Sequence, residues 1–277
     1  MKGIILAAGY GTRFLPITKT IPKEMLPILN KPSIDYIIEE FTSSGIKEIL
    51  IITSRRKGAL DNYFDREIEL ETEFAKKYRE DLLKKIKLKD INISFIRQNE
   101  MMGTGHALLQ VKPWIGTESV IVAYPDDLHV GSPPLTAQLI ELHKKTGKNI
   151  LSVIENPKDI NRYGVIELNK DNIHVKDIVE KPEIGKEPSN KASIGRFLYT
   201  HEFFKFLEEG FKLHQKGEYH HIYALKKLMS ENKVLYKEIE GERLDIGDIG
   251  GYLEAIIKIA KRNDQLLQII KDSLRTK

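Results

Sequence analysis

The chain of 277 residues contains no cysteine. That removes disulfide frameworks, thiolate metal sites and cysteine nucleophiles together, and it suits a reducing compartment. Surplus charge is scarce as well. Lys plus Arg number 44 against 40 Asp plus Glu, a net of +4, and no basic run is dense enough to track a polyanion. A small anionic ligand is expected rather than nucleic acid. Long apolar runs are also missing. The opening run from Met1 to Gly9 is too short for a secretory core and leads directly into a glycine turn, and no later segment reaches membrane-spanning length. A cytoplasmic protein without membrane contact is expected. Its chemistry must come from carboxylates, Lys, Arg, His and metal. With 41% hydrophobic residues, the chain can bury one substantial core, and one enzyme-sized body follows.

Short apolar runs at 3–8, 48–53, 91–96 and 119–124 alternate with helical patterns at 33–44, 104–111 and 135–145. Such alternation predicts βαβ units and a mainly parallel sheet. From Ile150 the strands become shorter and more polar, at 151–155, 163–169, 174–180 and 192–199, before a helix at 201–213. No Pro/Gly/Ser linker separates the two parts. One domain is therefore expected, with a first half (1–150), a second half (151–248) that covers the substrate, and C-terminal helices (249–277). Leu70, Phe74, Tyr78, Leu82 and Ile86 recur every four residues and predict the apolar stripe of one helix over 65–90. That stripe, or the apolar face of a last helix from Tyr252 to Leu274, offers a contact for a homo-oligomer.

The first strand is followed by Leu6-Ala7-Ala8-Gly9-Tyr10-Gly11-Thr12-Arg13-Phe14-Leu15-Pro16. Two glycines and a guanidinium thus stand at the carboxyl end of a strand, where open α/β sheets bind ligands. Glycine lets backbone N–H groups approach phosphate or base closely, and Arg13 adds a planar fork for phosphate oxygens. A Rossmann fingerprint would place a third glycine at Phe14, and Walker A spacing is absent. Lys19 and Lys23 follow in a loop stiffened by Pro16, Pro22 and Pro27, which preorganises positive charge for a triphosphate.

The run Leu6 to Pro27 resembles the signature of the sugar nucleotidyltransferases, and its Pro22-Lys23-Glu24-Met25-Leu26-Pro27 segment is similar to the bacterial UTP:glucose-1-phosphate uridylyltransferases. Resembling segments recur in family order: Arg97-Gln98 with Gly103-Thr104-Gly105-His106-Ala107, Pro125-Asp126-Asp127, Tyr163-Gly164-Val165, Val179-Glu180-Lys181-Pro182, Gly195-Arg196-Phe197, and Asp245-Ile246-Gly247 leading to Gly250-Gly251-Tyr252. The resemblance implies a Rossmann-like α/β fold of the glycosyltransferase-A type, with a mixed, mostly parallel sheet flanked by helices. It also implies formation of UDP-glucose from UTP and glucose 1-phosphate, release of pyrophosphate, and dependence on Mg²⁺.

Carried over, the resemblance puts Ala8, Gly9, Gly11, Gln98 and Gly103 around the uridine and Arg13 and Lys23 on the triphosphate. It assigns Gly164, Glu180 and Lys181 to the sugar phosphate, with Glu218 on the same side. The residues themselves agree in part. An amide such as Gln98 can donate and accept at once, so it can read a uracil edge. Asp126, at a strand end beside Asp127, suits a hard cation, and Asp245 would be the second Mg²⁺ ligand. Asp127 and Asp248 read as capping or solvated carboxylates. A sugar phosphate is largely dianionic near neutrality, its second pKa being about 6, so its oxygen attacks the α-phosphorus without a general base. Alignment and charge neutralisation then dominate, with Arg13 and Lys23 on the departing pyrophosphate and Lys181 steering the nucleophile.

One segment departs from the family. Where relatives carry a Glu-Ile-Gln-Leu-Thr-Asp-like run, this chain has Glu218-Tyr219-His220-His221-Ile222-Tyr223, which alters the surroundings of Glu218. The two histidines invite a zinc site, but adjacent helical residues do not share a face and no further ligand stands at zinc spacing. Rival readings are a transferase for dTTP or another sugar phosphate, a catalytically silent nucleotide-binding homologue, and a dinucleotide-dependent oxidoreductase. Retention of Arg13, Lys23, Asp126, Lys181 and Asp245 disfavours the second, and the missing third glycine the last.

Overall fold

Successive side chains of a strand point to opposite faces, and in the first strand both faces are apolar: Ile4 and Ile5 are each fully buried, on opposite sides of one sheet. A strand buried on both sides needs helices above and below it. The computed structural model, which describes residues 1–87 and 90–275, supplies them. Strand β1 (Lys2–Leu6) leads through three single 3₁₀ turns (Thr12–Phe14, Ile17–Lys19, Lys23–Met25) into the hairpin β2 (Pro27–Ile28) and β3 (Lys31–Pro32). Then come α1 (Ser33–Ser43), β4 (Glu48–Thr53), α2 (Gly58–Phe64), α3 (Ile68–Lys76), α4 (Glu80–Ile86), β5 (Asn92–Arg97), α5 (Thr104–Ile115) and β6 (Val120–Ala123). The chain continues with β7 (Asp127–Val130), α6 (Leu135–Thr146), β8 (Asn149–Glu155), β9 (Gly164–Leu168), β10 (Val175–Glu180) and β11 (Lys191–Tyr199). It ends with α7 (His201–Leu213), α8 (Ile222–Ser230), β12 (Val234–Glu238), β13 (Glu242–Asp245), α9 (Ile249–Ala260) and α10 (Asp264–Arg275).

The main sheet runs β10-β9-β11-β6-β1-β4-β5, with β8 pairing β11 and β12. β1 lies parallel to both β4 and β6, β4 is parallel to β5, and β11 is antiparallel to β6. The sheet is thus continuous from the first half of the chain into the second. Helix α5 contributes Leu108 and Val111, and α7 contributes Phe203 and Leu207, to the core on one face. On the other, α1 contributes Ile34, Ile37 and Phe41, and α6 contributes Leu139. Because β1 and β6 are parallel neighbours, the loops at their carboxyl ends, Gly9 to Arg13 and Tyr124 to Asp126, open side by side into one crevice.

Two expectations are corrected. Residues 65–90 form two helices, α3 and α4, instead of one. Tyr78 takes a left-handed conformation (φ 55°), Tyr78 N bonds to Ala75 O and Arg79 N to Phe74 O, which is the double closure of a Schellman end. Apolar residues every four positions drift about 40° per repeat around a helix of 3.6 residues per turn, so the stripe never stays on one face, and Tyr78 is 89% exposed. The last helix likewise divides, into α9 and α10, around Lys261 to Asn263. Among the described residues no helix is long and apolar enough to cross a membrane.

Candidate active site

A two-stranded ribbon outside the main sheet aligns the two expected metal ligands. β7 and β13 pair antiparallel with Asp127 opposite Asp245, and Ile246 N donates to Asp126 O at 2.9 Å. Asp126 and Asp245, distant in sequence, thus become neighbours through backbone pairing. Asp245 Oδ1 accepts from Gly247 N at 3.0 Å. A Cβ built on Gly247 would lie 3.0 Å from Asp245 Oδ1, 3.3 Å from Arg13 Nη1 and 3.5 Å from Asp126 Oδ2. Two carboxylates and one guanidinium therefore converge over the bare Cα of a glycine, and Arg13 Nη1 also donates to Gly247 O at 3.2 Å. The donor set is all oxygen and includes only two carboxylates, which suits a hard cation completed by phosphate oxygens and water. Among the described residues no group of three or more His, Cys, Asp or Glu forms a cage for a metal.

Lys23 Nζ stands 2.5 Å from Asp126 Oδ2. Burial by itself would raise the Asp126 pKa, but the Lys23 ammonium, helped by a backbone bond and Arg13, outweighs it and holds the carboxyl below its usual range. For Lys23, burial pulls the pKa down while Asp126 and Glu24 push harder, and the result is raised. Both groups are charged near neutrality. Lys23 is aimed by an anchor that the motif reading did not find: Glu24, 1% exposed, pairs with buried Lys57 at 2.6 Å. That pair pins the turn Lys23–Met25 against the start of α2. Lys19, by contrast, is exposed.

Asp127 does not face the cation position. It is buried, accepts from Gly195 N at 2.9 Å, and forms a fork with Arg243 through Nε at 3.0 Å and Nη2 at 2.8 Å. Arg243 also reaches Asp245 Oδ2 at 3.2 Å and Tyr163 Oη at 3.0 Å, joining the carboxylates to the loop before Gly164. No motif singled out Arg243, yet its place two residues before Asp245 on a strand put both on one face. Asp248 caps α9, accepting from Gly251 N at 3.0 Å, and pairs with Arg162 at 3.1 Å.

A cavity of about 380 Å³ adjoins the carboxylates, lined by Ala8, Gly9, Gly11, Gln98, Gly103 and Asp126 among others. Gly103 has φ 94°, and a Cβ there would sit 2.6 Å from Tyr219 O and 2.9 Å from Tyr219 N, so no other residue fits without moving backbone. Tyr219 N donates to Met102 O at 2.6 Å and Gly105 N to Tyr219 O at 2.8 Å. The altered segment after Gly217 is therefore the wall of this cavity. Glu218 lines it, and its Cβ lies 3.0 Å from the point a Cβ on Gly103 would occupy. The pairing of Tyr219 with Met102 and Gly105 places Glu218, expected on the sugar side, beside the Gly103 loop. Gly164, Glu180 and Lys181 gather separately. Glu180 is the register partner of Gly164, and its Oε2 would lie 3.0 Å from a Cβ on Gly164. Lys181 is exposed, holds φ 47° and donates its N–H to Tyr163 O at 2.9 Å.

His221 packs among Phe197, Tyr199 and Phe203, its Nδ1 3.3 Å from Thr104 Oγ1. Burial, then neighbouring His220, pushes its pKa down to about 4. A histidine so lowered adds stability that is whole above its unfolded pKa of about 6.5 and drains away as pH falls toward the folded value. Between pH 7 and pH 4.5 the protein is expected to lose about 2 kcal/mol more stability than His221→Leu does. Urea unfolding of both proteins at the two pH values checks this, and parallel losses would refute it.

A glycine-lined cavity at the carboxyl ends of β1 and β5, beside paired carboxylates and two cations, defines a site for joining a nucleotide to a phosphate. The chain belongs to the nucleotidyl transferase family, whose model matches residues 2–262, and it is an enzyme of that class. It is 39% identical over 279 residues to the UTP–glucose-1-phosphate uridylyltransferase of Staphylococcus epidermidis strain RP62A, covering 98% of this chain and 96% of that relative. Among solved structures, a UTP-bound UGPase from Acinetobacter baumannii superposes with TM-score 0.89 at 29% identity, covering 100% of this chain and 99% of that one. A UDP-glucose pyrophosphorylase complexed with UDP-glucose superposes with TM-score 0.81 at 35% identity, covering 95% and 99%. The resemblance read from the motifs and the α/β fold with a mixed, mostly parallel sheet are thereby borne out.

Proposed function

We propose that this enzyme transfers UMP from UTP to glucose 1-phosphate, giving UDP-glucose and pyrophosphate. The observation that carries the reading is the convergence of Asp126, Asp245 and Arg13 over Gly247 at the mouth of the glycine-lined cavity. The names of the Staphylococcus relative and of the two ligand-bound structures support it. Ala8, Gly9, Gly11, Gln98 and Gly103 would surround the uridine, and Arg13 and Lys23 would neutralise the departing pyrophosphate. Gly164, Glu180 and Lys181 would hold the sugar phosphate, whose oxygen attacks the α-phosphorus in line as the bond to pyrophosphate breaks. Asp126 and Asp245 would hold Mg²⁺, which when bound supplies charge neutralisation at the reacting phosphates. A cytoplasmic setting is supported by the cysteine-free sequence. A homo-oligomer is supported by the apolar faces of α9 and α10, where Ile249, Leu253, Ile269 and Leu274 are exposed.

The test incubates the protein with Mg²⁺, glucose 1-phosphate and each of UTP, dTTP, ATP and GTP, measuring pyrophosphate and sugar nucleotide. Product chiefly with UTP is expected, with loss on adding EDTA and recovery on restoring Mg²⁺. Product with none of the four would overturn the reading.

A further inference from the structure

Gln98 follows the last residue of β5, is only 4% exposed, and lines the cavity. Its Nε2 lies 3.1 Å from Gly103 O and 3.1 Å from His106 Nδ1. A carbonyl oxygen only accepts, so the contact with Gly103 fixes which end of the amide is nitrogen. In the tautomer that leaves His106 Nδ1 bare, both N–H groups of Gln98 are committed to protein, one to Gly103 O and one to that nitrogen. Oε1 is the amide atom left over. Among the described residues no protein group donates to it.

We propose that His106 is a positioning residue for base selection: by accepting from Gln98 it locks the amide so that the cavity offers the base an acceptor and no donor. The inference rests on the uridylyltransferase reading and names how its base would be chosen. Uracil carries N–H at ring position 3 and donates to such an acceptor. Cytosine has a bare nitrogen there and is repelled. An amide held by Gly103 O alone could give up that one bond and present its NH₂ to cytosine; the second acceptor raises the cost of turning. Discrimination therefore rests on both acceptors together.

The structure holds His106 for this task. It lies in the first turn of α5, and its ring packs on Phe211 with centroids 5.5 Å apart. Its Nε2 is 3.2 Å from Gln110 Nε2, which also lies 3.2 Å from His106 O. A neutral imidazole accepts at one nitrogen only, so one of the two amides must give up its carbonyl contact; keeping the Gln98 bond to Gly103 O puts the proton on Nε2 and turns the Gln110 oxygen to it, breaking the Gln110 bond to His106 O. The Gly103 to His106 turn thus supplies both acceptors that hold Gln98, and the left-handed Gly103 makes that turn possible.

The test uses His106→Leu and His106→Asn in the full chain, with steady-state kinetics on UTP and CTP at saturating glucose 1-phosphate. Leucine offers no acceptor, whereas asparagine can place an amide oxygen where Nδ1 stands. For His106→Leu, KM for UTP is expected to rise about tenfold, with the loss in KM rather than kcat, and the UTP-over-CTP preference in kcat/KM to fall about 30-fold. His106→Asn is expected to restore most of that preference. Should His106→Leu fail to fold, His106→Phe keeps a ring against Phe211 without the acceptor and carries the same expectation. Unchanged preference in the Leu or Phe variant, or an Asn variant as unselective as Leu, would overturn the inference and leave His106 a packing residue. Absence of turnover by the wild-type protein with UTP would instead overturn the underlying reading. Thymine shares the N3–H, so a wild-type preference for dTTP would overturn that reading and leave the lock standing.

Discussion

Asp126→Ala is expected to lower kcat by about 10³-fold, comparable to the larger losses seen when one preorganised electrostatic group is removed from a reaction centre. The substitution acts twice. It deletes one of the two carboxylates that converge over Gly247, and it strips Lys23 of its 2.5 Å counter-ion. The Asp126 backbone carbonyl, which holds Ile246 N, is kept, so the loss of stability should be confined to the Lys23 pair and smaller than that of Asp127→Ala. Asp127→Ala should do the reverse. It orphans Arg243 and Gly195 N, so the unfolding midpoint should fall well before chemistry is examined. Side-by-side kinetics and urea melts of the two variants check the contrast. If Asp126→Ala kept kcat within about tenfold of wild type, the cation position would have to be moved away from it.

The largest expected loss of stability lies away from the reaction centre. Arg196→Met should destabilise the protein by about 3–5 kcal/mol, because it leaves Glu40 charged and buried without its partner. Arg196 is 1% exposed and grips both oxygens of Glu40 at 2.9 Å each, while its Nη2 also donates to Asp127 O at 3.2 Å. Glu40 Oε1 further accepts from Thr136 N at 3.0 Å. One carboxylate thus joins α1, α6 and β11 beneath the ribbon that carries Asp127 and Asp245. Replacing both members by apolar residues of similar size should recover part of the loss, since no uncompensated charge remains, but the Thr136 N–H would still lack its acceptor. Urea unfolding of the single and double variants measures this. Equal stability of Arg196→Met and wild type would show that the pair contributes nothing.

How far the molecule could be read from its sequence follows from the range of each signal. β1, β4 and β6 announce themselves because strands covered on both faces are unbroken apolar runs, and Gly9, Gly11 and Arg13 stand out because a strand end followed by glycines has few other uses. The pairing of β7 with β13 leaves no local trace. Each has four residues, and neither shows a periodicity that points to the other. Arg243, the Glu24–Lys57 pair and the Arg196–Glu40 pair were hidden for the same reason: a buried ion pair is two ordinary residues until the fold joins them. The closeness of Glu218 to Gly103 left no trace in the sequence either, because backbone hydrogen bonds of Tyr219 to residues more than 110 positions away create it. Tyr78 ended a helix that its apolar spacing extended.

The closure of Tyr219 on Gly103 has a consequence for dividing this enzyme. The glycine-lined cavity is not a transplantable module. A fragment of residues 1–150 would contain every glycine of the loops after β1 and β5 and yet lack the wall at Glu218 and the hydrogen bonds that hold Met102 and Gly105. During synthesis the same holds in time: the amino-terminal strands can pair early, but a closed cavity must await the chain beyond residue 219, and the paired carboxylates must await Asp245.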